Sequence, residues 1–370
     1  MSAENKSSPG TPTAEGPALA DAPPLAPAAV FDALAQQSAV ATDARRPLEE
    51  RLEAFEDIVD SEVGDTTLAR ARNIERDVGL RQIYLKFEGG NPTGTQKDRI
   101  AFAQAMDALR RGFDAVTVAT CGNYGSAMAV AAAAAGLRCL VFIPAGYRTR
   151  RLEEMAAHGV EIVRVEGDYE RAVQVSQEHA EVHEIYDANP GGANTALQLR
   201  AYGEIAYEIY DELRDAPAAV AVPVSNGTTL AGIYKGFLSL HRRGKTSRMP
   251  KLVAGSSFAK NPIVRAMLKN APTCVDLEPA RIRETAINEP LVNWHSIDGD
   301  LALSALRETG GWGAFASDRD MRSLARQVRV REGLNVLPAA VAGLCALLER
   351  QRSSALPGDR YVAVLTGRNV

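Results

Sequence analysis

The sequence predicts an α/β fold of open, mostly parallel, twisted sheets with helices on both faces. Three observations carry this. From Ile83 onward short β-branched runs alternate with helical segments, the pattern in which each strand returns parallel through a crossover helix. The 370 residues, 46% of them apolar, suffice for one large or two ordinary domains. Polar, glycine-bearing turns also follow several strands, at the carboxyl ends where open parallel sheets place ligands.

Taken in order, residues 1–45 are rich in Pro, Ala, Ser and Glu and punctuated by Pro9, Pro12, Pro17, Pro23, Pro24 and Pro27. Such a segment buries too little surface to offset its ordering entropy, so a disordered N-terminal extension is expected, with at most a helical turn set around Val30–Gln37. LEERLEAFEDIV (48–59) has helical spacing. IYLKFE (83–88) reads as a strand and 98–111 as a helix; AVTVAT (115–120) is a strand and 124–135 a helix of small residues. LRCLVFIP (137–144), a helix over 151–158, VEIVRVE (160–166) and a helix over 169–179 continue the alternation. AAVAVPV (218–224), KLVAGSS (251–257) and YVAVLT (361–366) are the later strands.

Several function classes have no footprint. The net charge is −4 with no basic block, which argues against a nucleic-acid partner. No apolar run reaches membrane length, because Gly136 and Arg138 break the stretch from Ala127 to Ile143. No secretory apolar region opens the chain. Cys121, Cys139, Cys274 and Cys345 form no C-x-x-C pair, so reduced thiols and a cytoplasmic protein are expected. The histidines 158, 179, 183, 241 and 295 show no ligand grouping and no H-E-x-x-H, so no metal is expected. Gly244-Lys245-Thr246 ends like a P-loop, but Ser239 stands at its first glycine and no strand precedes it.

Three turns invite chemistry. Ser225-Asn226-Gly227-Thr228-Thr229 follows a strand and opens a helix expected from Leu230. Its amides and hydroxyls suit a phosphate; an ordinary cap at Thr228 or Thr229 accounts for the same residues. Asn91–Arg99 is an Asn-Pro, Thr-Gly turn that leaves Lys97 at a helix start, where a cation is disfavoured and an amine of lowered pKa is usable; a solvated surface lysine is the alternative. Thr120-Cys121-Gly122-Asn123-Tyr124-Gly125-Ser126 offers amides and hydroxyls to a carboxylate, or lets an alanine-rich helix pack closely.

Together the turns resemble those of the fold-type II pyridoxal-phosphate enzymes, and within them the threonine synthases. Lys86-Phe87-Glu88-Gly89-Gly90-Asn91-Pro92-Thr93-Gly94-Thr95-Gln96-Lys97-Asp98-Arg99 is similar to the family's K-x-E-x-x-N-P-T-G-S-x-K-D-R. Asp65–Ala71 resembles T-P-L-x-x-A with Thr67 for Pro, TCGNYGSA the S-x-G-N-x-G/S loop, SNGTTLAG the phosphate loop and Leu365-Thr366-Gly367 the terminal T-G. The likeness runs in order from about residue 60 to the end. It implies two open sheets, with a small domain (101–187) inserted into a large one (46–100 and 188–370), and a homodimer. It implies pyridoxal 5′-phosphate carried by Lys97, the catalytic residue, with its ring oxygen at Asn123 and its phosphate at Ser225, Asn226, Gly227, Thr228 and Thr229. Thr366 is implied at the ring nitrogen, a neutral partner that favours elimination or replacement over transamination. Thr120, Cys121, Gly122, Tyr124, Gly125 and Ser126 would take the carboxylate of an amino-acid substrate, and Arg150 and Arg151 an anionic group. Gly191-Gly192 stands where threonine synthases tend to carry an arginine, and Leu337-Pro338-Ala339-Ala340 lacks the glutamate of E-P-x-S-A. The substrate is thus open between phosphohomoserine and another amino acid. A dehydratase-like or cysteine-synthase-like β-eliminase and a non-catalytic cofactor-binding protein are the alternatives.

Overall fold

The computed structural model describes residues 27–120, 122–147 and 151–369. The helices in chain order are α1 (Pro27–Thr42), α2 (Leu48–Glu62), α3 (Arg72–Val78), α4 (Lys97–Arg110), α5 (Asn123–Ala135), α6 (Arg151–Ala157), α7 (Tyr169–Val182), α8 (Thr195–Leu213), α9 (Thr228–Arg242), α10 (Pro262–Leu268), α11 (Gly299–Glu308), α12 (Asp318–Glu332) and α13 (Ala342–Ser353). The strands are β1 (Leu68–Arg70), β2 (Ile83–Phe87), β3 (Ala115–Ala119), β4 (Arg138–Pro144), β5 (Glu161–Val165), β6 (Tyr186–Asp187), β7 (Ala219–Pro223), β8 (Lys251–Ser257), β9 (Trp312–Ala316) and β10 (Tyr361–Leu365).

The strands sort into two sheets. The larger runs β1-β2-β10-β7-β8-β9 and the smaller β5-β4-β3-β6. Every pairing is parallel except β1 with β2. β3, β7 and β10 are buried along their whole length, as strands covered on both faces must be. Strand β10 is last in sequence but lies between β2 and β7. It therefore brings the end of the chain beside two turns more than a hundred residues upstream.

α4 leads from the larger sheet to the smaller and α8 leads back. α4 packs on α5 and α8, and α8 on α9. The α8–α9 contact is close because three glycines face it: a Cβ on Gly236 would lie 2.4 Å from the Gly203 carbonyl oxygen, and one on Gly232 2.8 Å from that of Leu199. On the outer side of α4, Phe102 stacks on Phe55 of α2 with ring centroids 5.9 Å apart.

The disordered reading of 1–45 needs correction. Residues 27–42 form α1, while 1–26 lie outside the described residues. Composition misled because α1 is ordered by what it touches. It packs on α2 and α5, Ala41 is fully buried, and a Cβ on Gly136 at the end of α5 would lie 2.7 Å from the Thr42 Cα. Tertiary burial supplies what isolated helical propensity does not. Elsewhere the expected helices and strands appear with ends shifted by up to three residues. The largest change for function is α9, which opens at Thr228 rather than Leu230.

Candidate active site

Lys97 follows β2, Asn123 follows β3, Ser225–Thr229 follows β7 and Thr366 follows β10, and all of them line one cavity. The sheet topology makes this meeting; no local signal in the chain does.

The turn that delivers Lys97 is held from beneath. Asn91 is buried; its side-chain amide donates to the Glu88 carbonyl at 2.9 Å and to Glu88 Oε2 at 3.1 Å, and its Oδ1 accepts from the Gly64 amide at 3.0 Å. Asp98 accepts from the Thr93 amide at 3.0 Å and the Thr93 hydroxyl at 2.8 Å. Its burial pushes the carboxyl up to about 6, against those bonds and the charge of Arg368. The Gln96 amide donates to the Thr366 carbonyl at 3.0 Å and the Arg368 amide to that of Gly94 at 2.8 Å, pinning the turn to the chain end. Most of the K-x-E…N-P-T-G…K-D-R residues are therefore structural.

Beneath the turn lies a buried ion network. Arg99 bridges Glu88 (2.6 and 3.0 Å) and Glu208 (2.6 and 2.9 Å). Lys86 pairs with Glu208 and donates to the Thr66 carbonyl at 2.5 Å. Burial pushes the Glu208 carboxyl up, yet Arg99 and then Lys86 outweigh it and bring it down to about 2. Two cations and two carboxylates balance, as burial of charge requires.

Lys97 as a residue is only half-buried, but its amine is closely surrounded. Desolvation brings the amine down to about 8, and the charge of Asp298 opposes that fall. The Tyr124 ring lies 5.9 Å from Nζ, and the Lys97 amide is capped by Thr95 Oγ1 at 3.2 Å.

The Ser225–Thr229 turn is a cup at the start of α9. Gly227 sits at φ +92°, and a Cβ there would lie within 3 Å of Ala302, Ile263 and the Asp298 carbonyl, so any other residue is strained twice over. The cap is Gly227 rather than a threonine, leaving the first amides of α9 without intrahelical acceptors. The cup is buttressed by residues that sequence reasoning missed. The Ser225 carbonyl accepts from Asn261 and from Ser296, each at 3.0 Å. The Asn226 carbonyl accepts from the Asp298 amide at 3.0 Å, and its side chain from Asn293. The Thr228 hydroxyl donates to Asp298 at 2.5 Å, so its hydrogen is directed to a carboxylate rather than into the cup. Asn261, Asn293, Ser296 and Asp298 lie in loops or caps without hydrophobic period, and nothing in their spacing told which strand end they would meet.

The 120–126 turn is split by the structure. Asn189 Oδ1 accepts from the Ala119 amide at 2.8 Å, and Thr120 Oγ1 from the Gly122 amide at 3.4 Å; Asn123 lines the cavity. Tyr124, Gly125 and Ser126 are buried, and their partners lie in the packing around α5. The Tyr124 hydroxyl donates to the Ala188 carbonyl at 2.7 Å. A Cβ on Gly125 would lie 2.5 Å from Met155, and Ser126 donates to Glu154 at 3.3 Å. These positions belong to the helix that Asn123 opens, so they point into its packing. Arg151 pairs with Glu154 at 2.5 Å. Cys121 and Arg150 lie outside the described residues. Among the described residues no group of acids, cysteines and histidines has metal-binding geometry, and no helix is long and apolar enough to cross a membrane.

Comparison with known proteins gives this site its class. The sequence profile of the pyridoxal-phosphate dependent enzymes matches residues 59–367. The chain belongs to this family. It is 28% identical over 310 residues to the threonine synthase of Methanocaldococcus jannaschii, covering 83% of this chain and 75% of that one. It is 30% identical over 312 residues to that of Synechocystis sp., covering 83% and 77%. Among solved structures, maize serine racemase superposes with a TM-score of 0.70 at 17% identity, covering 86% of this chain and 94% of that one. The serine racemase of Dictyostelium discoideum gives 0.70 at 17%, covering 86% and 97%. These two show the shared two-sheet fold.

As a member of the family the chain is an enzyme that uses pyridoxal 5′-phosphate. The cavity fits that group: an amine of lowered pKa, a helix start with free amides beside it, and a hydroxyl from the chain end on another wall.

Proposed function

We propose that this chain is a lyase or synthase acting on an amino acid by elimination or replacement at the β or γ carbon, in the manner of the threonine synthases. The observation that carries the reading is the meeting of Lys97, Asn123, the Ser225–Thr229 cup and Thr366 in one cavity. The amides of Asn226–Thr229 and the Ser225 and Thr229 hydroxyls would hold the cofactor phosphate, Asn123 would hold a ring oxygen, and Thr366 would serve the ring nitrogen. When bound, the cofactor supplies an electron-accepting ring for the pair left at the substrate α-carbon. Lys97 removes the α-proton. With a pKa of about 8, roughly a tenth of the free amine is neutral at pH 7, enough for a base that is regenerated every turnover. Thr366 is a neutral hydroxyl, so it leaves the ring nitrogen largely unprotonated, which favours elimination and replacement over transamination. The start of α5 at Asn123 takes the α-carboxylate and orients the α-hydrogen toward Lys97, and Arg151 lends positive charge beside Glu154.

On this reading residues 101–187 form a small domain and 46–100 with 188–370 a large one. We also infer a cytoplasmic homodimer, checked by light scattering, where a monomer at working concentration refutes it. The decisive experiment is the visible spectrum of the cofactor-loaded protein on addition of amino acids, with borohydride reduction to locate the attached lysine. Spectral change with a free or substituted hydroxy amino acid and label at Lys97 are expected; label at another lysine overturns the assignment.

A further inference from the structure

Two helices far from the cavity carry exposed stripes of opposite charge. On α2 the acids Glu49, Glu53, Glu56 and Asp60 recur at i, i+4, i+7 and i+11 and are all exposed, while Ala54, Phe55 and Ile58 are buried on the other side of the helix. On α12, Arg319, Arg322, Arg326 and Arg329 recur at i, i+3, i+7 and i+10 and are all exposed, while Met321, Leu324, Ala325 and Val328 are buried. At a helical rise of about 1.5 Å per residue the stripes run about 16 and about 15 Å, and their charges keep step to within about 1.5 Å. Among the described residues none of these side chains has an ion pair or a hydrogen bond. The charges beside them are already matched: Glu50 pairs with Arg46 at 3.0 Å, Asp57 accepts from Gln37 at 2.7 Å, and Arg331 pairs with Asp77. The stripes cannot meet within one molecule. Phe55 and Ile58 of α2 join the core that takes Val220 and Val222 of β7, and Leu324 and Val328 of α12 the core that takes Ala219 and Ala221. Successive residues of a strand point to opposite faces, so the larger sheet lies between α2 and α12.

We propose that the basic face of α12 docks the acidic face of α2 from a second copy of this chain. Charge chooses the partner. Like charges three and four residues apart repel along their own helix, and a row of the opposite sign at the same spacing relieves both rows. One exposed ion pair contributes little, but matched rows of four act as a network. The apolar residues choose the direction. Leu48 at the start of α2 is 38% exposed and Val330 near the end of α12 is 73% exposed. An antiparallel crossing sets these two at one end of the contact and Asp60 beside Arg319 at the other. Because the two faces look out from opposite sides of the larger sheet, one neighbour cannot take both. The contact is therefore heterologous and adds copies head to tail, separate from the homodimer inferred above.

The test is the size of the full-length, cofactor-loaded protein in sedimentation velocity at low and at high sodium chloride. Two variants reverse charge at exposed positions outside the active site: Arg322→Glu with Arg326→Glu, and Glu53→Lys with Glu56→Lys. Far-ultraviolet dichroism checks that each folds; Arg322→Gln with Arg326→Gln, expected to weaken the same association, replaces a reversal that does not. At low salt the wild type should form species larger than its high-salt form, growing with protein concentration and lost as salt rises, because exposed charges are screened. Each reversed variant alone should lose these species. An equimolar mixture of the two should regain them, since each then offers the other complementary faces. A wild type of one size at every salt concentration overturns the proposal; if that protein is retained on heparin through the α12 arginines, the face takes a polyanion instead. Association that survives both reversals, or that the mixture fails to restore, overturns it as well.

Discussion

The two walls of the cavity are held by different physics. Behind Lys97 the larger sheet places a largely buried polar network, in which Lys86, Glu88, Arg99 and Glu208 satisfy one another and Asn91 and Thr66 complete the bonds. Behind Asn123 the smaller sheet places an alanine-rich helix whose inner face touches Met155, Thr120 and the Tyr124–Ala188 hydrogen bond. A polar network fixes direction, because each bond has one geometry. A small-residue face fixes only distance and leaves sliding open. The wall that carries the Lys97 amine is built the first way, and the wall that carries Asn123 the second.

Four measurements break or sharpen that contrast. The largest effect is expected from Lys97→Ala. The variant should fold and bind cofactor, borohydride should no longer attach cofactor to the chain, and turnover should fall by at least the ~10²–10⁴-fold that a positioned base supplies. Near-normal turnover would contradict the whole assignment.

Next comes Arg99→Met, which leaves Glu88 and Glu208 buried without their shared partner. Urea denaturation should show a loss of about 3–5 kcal/mol, far more than a substitution on the alanine-rich wall such as Ala131→Gly, expected near 1 kcal/mol. The pH dependence has a definite sign. Glu208 falls from an ordinary 4.5 to about 2 in the fold, so its contribution is full above the unfolded value and is lost as pH drops from about 4.5 toward 2. In Arg99→Met that acid-side slope should flatten; an unchanged slope would assign it to other carboxylates.

Gly227→Val tests the cup. A Cβ there meets three groups within 3 Å at a φ of +92°, so cofactor affinity measured by fluorescence titration should weaken by about tenfold or more while the far-ultraviolet dichroism stays near wild type. Unchanged retention of cofactor would remove the cup from the site.

The smallest effect is expected from Asp298→Asn. The Asp298 charge holds the Lys97 pKa up against desolvation, so its removal should lower that pKa below about 8 and move cofactor attachment to lower pH. It should also tighten inorganic phosphate, because a carboxylate beside the cup is gone. A shift toward higher pH would contradict the electrostatic reading.

Much of this was legible in the chain. Strand and helix alternation gave the sheets, since periods of 2 and 3.6 are properties of neighbouring residues. The turns at 91–99, 120–126 and 225–229 could be found because Gly, Asn-Pro and hydroxyl residues mark sharp turns wherever they occur. Composition erred at 27–42, where proline-rich surroundings concealed a helix whose order comes from contact with α2 and α5.

What the sequence by itself determined was the parts: Lys97 on a helix start, a glycine that only a left-handed turn needs, a hydroxyl just past the last strand. What the tertiary structure decided was their neighbours. Thr366 reaches the Lys97 turn only because β10 inserts between β2 and β7. Asp298 governs Thr228 across 70 residues, and Glu289 faces Gly122 from the other wall. Charge acts through space, and distances between groups far apart in the chain are set by strand order and packing, which no local period records.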